Sequence, residues 1–244
     1  MFIARIGRLV LKKWLNVFGY EMVKHDELIE SLRTHLPELL ADLKINCVLD
    51  VGAHFGEYGQ FLRDIGYTER IFSFEPIAAN FNRLEQCCAR DPKWIARRIA
   101  LGEREDVSPI NVTQSTDFSS FLTPNDYCRN EFGRGGEVAR VENVEIKRLD
   151  SVFEECVAGI EAPRVFLKMD TQGWDAKVLE GAGRYLGEIL ALESEIAVKA
   201  IYSGMVGYID SLSRMHQMGF ELTGLFPVNR RNHLVVEFNC VMKR

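Results

Sequence analysis

The sequence has 244 residues, 47% of them hydrophobic, and a formal net charge of −5 at pH 7. This length and apolar content predict one buried core with a small appendage. The acidic balance disfavours nucleic acid as a partner, because phosphate binding needs a concentrated basic face. Six cysteines without C-x-x-C spacing predict reduced thiols in a cytoplasmic protein, and five scattered histidines predict no dedicated metal cage.

The chain opens with a basic amphipathic stripe at residues 2–18. Its apolar run is too short to span a bilayer. Two interpretations stay open: packing on the rest of the chain or on a second subunit of a homo-oligomer, and peripheral contact with the inner face of a membrane. Asp26 is a candidate helix cap, and Pro37 a candidate start for a further helix. We therefore expect residues 1–45 to form a helical appendage and residues 46–244 the main domain.

A strand, a turn and a helix follow in residues 46–66. Val48, Leu49 and Val51 are typical of a strand that is buried on both faces of a parallel sheet. Gly52 and Gly56 lack Cβ atoms, so the chain can turn sharply there and a ligand can approach the turn N–H groups. The helix from Phe55 to Gly66 should point its N-terminus at that ligand. These features predict a nucleotide-type binding turn.

Glu75 follows the second predicted strand, about 20 residues after the glycine turn, a spacing at which an acidic side chain accepts hydrogen bonds from a ribose. The turn has neither the G-x-G-x-x-G of a dinucleotide site nor the lysine of a P-loop. We therefore predict a nucleoside ligand without a phosphate chain, such as S-adenosylmethionine. Asp50 and the turn amides would hold its amino-acid end, and Glu75 its ribose. A nucleotide-dependent oxidoreductase is the disfavoured alternative.

The remaining pattern alternates helices and strands, interrupted by an insert at residues 103–148 whose two half-buried strands predict an antiparallel unit. Within it, Gln114 to Phe132 is either a lid over the ligands or an ordinary solvated loop. The other predicted elements are helices at 77–90, 149–157, 174–185 and 208–218, strands at 94–101, 164–170 and 189–195, and a C-terminal hairpin with its turn at 227–232.

Four charged residues occur in the last two core strands before the hairpin. A lysine in mid-strand is costly to bury alone, so we expect a carboxylate partner for Lys168. Asp170 ends its strand at the edge where open α/β sheets bind ligands. Glu193 and Glu195 share one face of the next strand. These residues are the candidates for acid–base chemistry.

Six motifs in matching order resemble the FkbM family of S-adenosylmethionine-dependent methyltransferases: DVGAHFGEY at 50–58, FEP at 74–76, ALG at 100–102, Ser119-Ser120-Phe121, KRLDSVF at 147–153 and LKMDTQGWD at 167–175. The resemblance implies a Rossmann-like class I fold, with a seven-stranded, mostly parallel sheet. It also implies O-methylation of sugars and secondary metabolites. The chain departs from the commonest family pattern at Thr171-Gln172 and Trp174. The expected cofactor-binding residues are Asp50, Gly52, Ala53, His54, Gly56, Tyr58, Glu75, Pro76, Ala100, Leu101, Ser119 and Ser120, of which the two serines depend on the resemblance alone.

A sugar hydroxyl has a high pKa, so its methylation needs a nearby base or cation. Asp170 is the first candidate, with Glu193 or Glu195 in support and Lys168 orienting the carboxylates; alternatively Asp170 holds the cofactor's amino group. Clustered carboxylates are also a possible Mg²⁺ site, although nothing in the sequence supports one. The leading function is methylation of a glycan or glycosylated metabolite, with Trp174, Phe118 and Tyr127 as stacking faces. The alternatives are a secondary-metabolite O-methyltransferase and a non-catalytic binding module.

Overall fold

The computed structural model describes residues 31–244. The amphipathic stripe at residues 2–18 and the helix after Asp26 lie outside the described residues, so their membrane or subunit contacts and the division at residue 45 stay predictions. Within residues 31–244, no helix combines the length and the apolarity that crossing a membrane requires.

Ten strands of the described residues form two sheets. They are β1 (Cys47–Val51), β2 (Arg70–Phe74), β3 (Trp94–Arg97), β4 (Ala100–Leu101), β5 (Asp106–Thr113), β6 (Val138–Lys147), β7 (Val165–Met169), β8 (Ile189–Ala197), β9 (Glu221–Arg231) and β10 (Leu234–Lys243). The main sheet has the order β3-β2-β1-β7-β8-β10-β9, with β10 antiparallel to both of its neighbours and the other pairs parallel. The predicted Rossmann-like, seven-stranded sheet with its antiparallel C-terminal hairpin is confirmed.

The second sheet is the predicted insert. β5 and β6 pair antiparallel, and β4 joins β6 in parallel. The expectation of one continuous strand over residues 94–101 is wrong. The chain leaves the main sheet after Arg97, because Ala100 and Leu101 pair with Ile146 and Lys147 of the insert instead.

In the part of the chain that the structure describes, seven helices flank the sheets. They are α1 (Leu32–Asp42), α2 (Glu57–Asp64), α3 (Ala78–Cys88), α4 (Asp126–Phe132), α5 (Leu149–Val157), α6 (Asp175–Gly181) and α7 (Tyr208–Gln217). Apolar residues of α1, α2 and α3 pack on one face of the main sheet and those of α5, α6 and α7 on the other. Successive strand residues serve opposite layers, as with Val48 and Leu49 of β1.

The larger boundary differences from the sequence prediction occur at Pro37, at the end of α6 and in the C-terminal hairpin. α1 runs through Pro37 without a restart, and burial of Leu36, Leu39 and Leu40 offsets the missing backbone bond. α6 ends at Gly181 and a 3₁₀ segment, Gly183–Glu188, follows. β9 continues through Pro227, which an edge strand tolerates, so the hairpin turns later, at Asn232 and His233.

Candidate active site

A cavity of about 600 Å³ opens where the parallel strands end. Its wall combines the turn after β1, the end of β2, the ends of β7 and β8, the insert and the hairpin. The predicted site residues that line it are Gly52, Ala53, His54, Tyr58, Glu75, Pro76, Ala100, Leu101, Ser119, Lys168, Asp170 and Glu193. Asp50, Gly56 and Ser120 do not line it.

Glu75 occupies one end of the cavity and is 4% exposed. Its Oε2 accepts a hydrogen bond from His54 N at 2.9 Å, and its Oε1 accepts from Ile77 N at 3.0 Å and from Asn80 Nδ2 at 3.3 Å. Burial raises the pKa of Glu75 to about 7, although these donors oppose the shift. Asn80 Oδ1 is buried without a hydrogen-bond partner. Two acceptors therefore lie side by side, an arrangement that suits adjacent hydroxyls.

The glycine turn works differently from the prediction. A Cβ on Gly52, whose φ is +78°, would overlap the carbonyl oxygen of Asp170, so this glycine permits close packing of two strand ends. The turn amides are already occupied: Gly52 N and Ala53 N donate to the carbonyl oxygen of Phe74 at 3.0 Å. These two amides are therefore not free donors, and binding of the cofactor at this turn stays a prediction. Gly56 does not line the cavity. A Cβ at Gly56 would point towards Trp94.

A row of polar side chains crosses four strands below the cavity. Ser73, Asp50, Lys168 and Glu193 occupy matched positions in β2, β1, β7 and β8. Ser73 Oγ donates to Asp50 Oδ2 at 2.9 Å, and Lys168 Nζ lies 3.3 Å from Asp50 Oδ1. Asp50 is fully buried. Its predicted contact with the cofactor is therefore corrected: Asp50 holds Lys168 from beneath.

Lys168 connects this row to the cavity, since its Nζ also lies 3.6 Å from Asp170 Oδ2. The predicted carboxylate partner of Lys168 is confirmed. Burial alone would lower the pKa of Lys168, but the carboxylates of Asp50, Asp170 and Glu193 outweigh it and raise the pKa. Lys168 is therefore a fixed positive charge among acids.

Glu193 is 2% exposed and accepts a hydrogen bond from Tyr58 Oη at 2.6 Å. Burial raises the pKa of Glu193 to about 7, against the opposing effects of Tyr58 and Lys168. The Tyr58 ring also lies 5.0 Å from Lys168 Nζ. Tyr58, predicted to touch the cofactor, therefore contacts the acidic side of the cavity.

Gln172 joins the two acids at the strand ends. Its Nε2 donates to Asp170 Oδ1 at 3.0 Å and to Glu195 Oε2 at 3.1 Å, and its Oε1 accepts from Tyr202 Oη at 2.8 Å. Gln172 has a φ of +54°, an unusual backbone for a residue with a side chain. The sequence predicts no role for Gln172, although Thr171-Gln172 departs from the commonest family pattern.

The insert covers the cavity with the 3₁₀ segment Thr116–Phe118. His54 Nε2 lies 2.7 Å from Thr116 Oγ1 and 3.3 Å from Asp117 Oδ1, which fastens this segment to the turn after β1. Ser120, predicted to bind the cofactor, instead donates to the backbone oxygen of Gln172 at 2.7 Å. The insert thus supports the site as well as covering it.

The aromatic residues proposed for sugar stacking separate into two groups. Trp174 and Phe118 line the cavity, whereas Tyr127 does not. Phe121, which also lines it, packs against Trp174 with ring centroids 5.0 Å apart. Trp174 Nε1 is buried without a hydrogen-bond partner. Among residues 31–244, no cluster of His, Cys, Asp and Glu has the arrangement of a metal site.

A family model of the FkbM methyltransferase domain matches residues 50–220. The chain belongs to the FkbM methyltransferase family. It is an S-adenosylmethionine-dependent methyltransferase, as the six motifs predicted. A search of curated proteins finds no match.

Solved structures similar to this FkbM methyltransferase share little sequence with it. Fibrillarin of Aeropyrum pernix with bound S-adenosyl-L-methionine has 10% identity and a TM-score of 0.46, covering 81% of this chain and 66% of its own. An rRNA methylase from Streptococcus thermophilus has 12% identity and a TM-score of 0.46, covering 89% and 98%. Magnesium protoporphyrin IX methyltransferase of Synechocystis PCC 6803 has 10% identity and a TM-score of 0.46, covering 96% and 90%.

Proposed function

We propose that this FkbM methyltransferase methylates a hydroxyl group, on a sugar of a glycan or of a glycosylated metabolite. One observation carries the proposal. Asp170 follows β7 directly and lines the cavity, its side chain is 36% exposed, and Lys168 lies beside it. A neutral hydroxyl needs a base as its oxygen attacks, and an accessible carboxylate is placed to act as one.

The cofactor is assigned to the end of the cavity formed by Glu75 and Asn80. S-adenosylmethionine supplies an electrophilic methyl group on a sulfonium sulfur. Glu75 and the unpartnered Asn80 Oδ1 are both acceptors, so together they fit the two ribose hydroxyls. Ala100 and Leu101, also in the wall, are assigned to adenine. This end lies where α/β sheets hold nucleotides.

The acceptor is assigned to the acidic end. In the reaction, the acceptor oxygen forms a bond to the methyl carbon and the bond from that carbon to sulfur breaks. Asp170 takes the hydroxyl proton. Lys168 places a positive charge 3.6 Å from Asp170 Oδ2, and Gln172 orients the same carboxyl group through Oδ1. Glu193, which is buried and accepts a hydrogen bond from Tyr58, is paired with Lys168 in the register of β7 and β8.

Part of the cavity wall is apolar and aromatic, as small-molecule sites usually are. Phe118, Phe121 and Trp174 offer flat faces against which a sugar ring or another flat acceptor fits. A secondary metabolite is therefore the alternative acceptor. The sugar and the secondary-metabolite alternatives share the same methyl-transfer chemistry and differ only in the molecule that is methylated.

A transfer assay with methyl-labelled S-adenosylmethionine tests the reaction class. The acceptors are methyl hexosides, a phenol, a primary alkylamine and an alkyl carboxylic acid, all at equal concentration. We expect labelling of the hexosides above the phenol, and none of the amine or the acid. Labelling of the phenol alone selects the metabolite alternative. Labelling confined to the amine or the acid overturns hydroxyl methylation.

A further inference from the structure

Glu237 is a carboxylate that the proposed chemistry leaves unused. It lies in β10, is 8% exposed and lines the cavity. No hydrogen bond or ion pair to its side chain occurs among the described residues, although nearly every other buried carboxylate of the site has a donor. An unpartnered buried carboxylate is unfavourable in a protein interior. Its position on a cavity wall indicates that a ligand supplies the partner.

The sheet register places a second carboxylate beside it. Asn239 of β10 is opposite Glu195 of β8, and Glu237 is two residues along on the same face. Glu195 and Glu237 are therefore diagonal neighbours, with Cα atoms roughly 7–8 Å apart. Glu195 uses Oε2 for Gln172, and its Oε1 has no hydrogen bond in the described part of the chain.

The charges near this pair do not balance. Among the described residues of the cavity wall, Lys168 is the only lysine or arginine, and it is shared between Asp50 and Asp170. Burial raises the pKa of Glu237 to about 6 and, together with Asp170 and Glu237, raises that of Glu195 well above its ordinary value. A cation placed between the two carboxylates would remove this unfavourable arrangement.

We propose that Glu195 and Glu237 bind an ammonium group of the acceptor, which is therefore an amine-bearing hydroxyl compound such as an amino sugar. This inference rests on the proposed hydroxyl methylation and narrows its substrate class. An ammonium has no free electron pair, so a group held in this way is protected from methylation. The hydroxyl beside Asp170 remains the nucleophile.

The cofactor's own ammonium group is the competing occupant. Glu75 follows β2, and β10 is four strands away from β2, roughly 19 Å at the usual strand spacing of about 4.8 Å. The pair thus lies at the far end of the cavity from the ribose assignment. Cofactor affinity in a Glu237 variant separates the two occupants.

Calorimetric titrations of the full chain saturated with S-adenosylhomocysteine test the proposal. The probes are two matched pairs, D-glucosamine with D-glucose and ethanolamine with ethylene glycol. We expect the amine of at least one pair to bind tenfold or more tightly than its neutral partner. Glu237→Gln, which keeps the side-chain shape, should remove this preference. The control Glu221→Gln, at an exposed position of β9, should keep it.

Equal affinities in both pairs, or a preference that survives in Glu237→Gln, overturn the ammonium site. A tenfold loss of S-adenosylhomocysteine affinity in Glu237→Gln overturns it too, because the bound cation would then be the cofactor's. These results are separable from failure of the proposed function. Methylation of a neutral hexoside without any preference for amines would overturn the ammonium site and leave hydroxyl methylation in place. Amine binding without methyl transfer to any hydroxyl would overturn hydroxyl methylation.

Discussion

Lys168 Nζ and Asp50 Oδ1 lie 3.3 Å apart, with the lysine side chain 7% exposed and the aspartate fully buried. Their strands are neighbours, and the two residues are paired in the sheet register. The pair therefore links the inside of the sheet to the acidic end of the cavity. Lys168 orients Asp170 above it, and Asp50 fixes Lys168 from below.

Lys168→Met should destabilise the fold by about 3–5 kcal/mol, because it leaves the buried charge of Asp50 without its partner. The free energy of unfolding in urea measures this. The double variant Asp50→Asn with Lys168→Met should recover much of the loss. As a control, Lys93→Met removes an exposed pair with Glu69 and should cost about 1 kcal/mol or less. A loss no larger than that of the control would contradict the structural role of Lys168.

Glu75→Gln should weaken S-adenosylmethionine binding about 10- to 150-fold, equivalent to roughly 1.5–3 kcal/mol for a lost charged hydrogen bond. The amide nitrogen would also face a donor, either His54 N or Ile77 N. Calorimetric titration with the cofactor measures the change. Glu69→Gln, in an exposed ion pair, is the matched control. Unchanged affinity in Glu75→Gln would move the ribose away from this residue.

Stability should fall as pH rises from about 5 to 8. Burial raises the pKa of Glu75 and Glu193 to about 7 and that of Glu237 to about 6, from an ordinary value of 4.5. Between the ordinary pKa of 4.5 and these raised pKa values, the folded chain binds more protons than the unfolded chain. Each increase of one pH unit therefore lowers the free energy of unfolding. Urea midpoints at pH 5 and pH 8, at constant ionic strength, measure this.

Carboxylates with lowered pKa values do not change the stability between pH 5 and pH 8. Asp91 and Asp150 have lowered pKa values, through hydrogen bonds from Arg63 and Arg148, and their contribution is lost only at pH values below 4. Glu237→Gln should reduce the difference between the two midpoints. A higher midpoint at pH 8 than at pH 5 would contradict raised pKa values through burial of these carboxylates.

Gln172→Gly should lower kcat roughly tenfold, because it removes a donor worth about 1.4 kcal/mol to the carboxylates of Asp170 and Glu195. Glycine adopts the observed φ of +54° without strain, so the fold should be kept. Tyr202→Phe leaves both donated bonds in place and should lower kcat less. Steady-state kinetics and cofactor titration measure these effects. An equal loss of cofactor affinity would instead make Gln172 a cofactor-binding residue.

The residues that sequence analysis placed correctly are those whose position follows from strand logic. Glu75 and Asp170 follow apolar runs, so they lie at the edge where parallel strands end. Lys168 was expected to have a carboxylate partner because a lone buried lysine is unfavourable. Which carboxylate it contacts depended on the register of β1 against β7, which neither strand encodes alone.

The residues that were missed reach the cavity through tertiary packing. Asn80 belongs to a helix, and Glu237 belongs to an antiparallel strand far along the chain, whose position beside β8 is set by the hairpin register. Asp50 was predicted to contact the cofactor because its acidic side chain follows the pattern of a cofactor ligand. Its position in the strand instead places it beneath the cavity.

Asp170→Asn is the variant that most directly tests the division of the cavity into a cofactor end and an acceptor end. Its single-turnover methyl transfer to a hydroxyl acceptor and its affinity for S-adenosylmethionine are measured on the same preparation. Loss of the base should slow transfer by about 10²–10⁴-fold, while cofactor affinity stays within about threefold of the wild type. A transfer rate near the wild-type value, or a loss confined to cofactor affinity, would contradict the assignment of Asp170 to the acceptor.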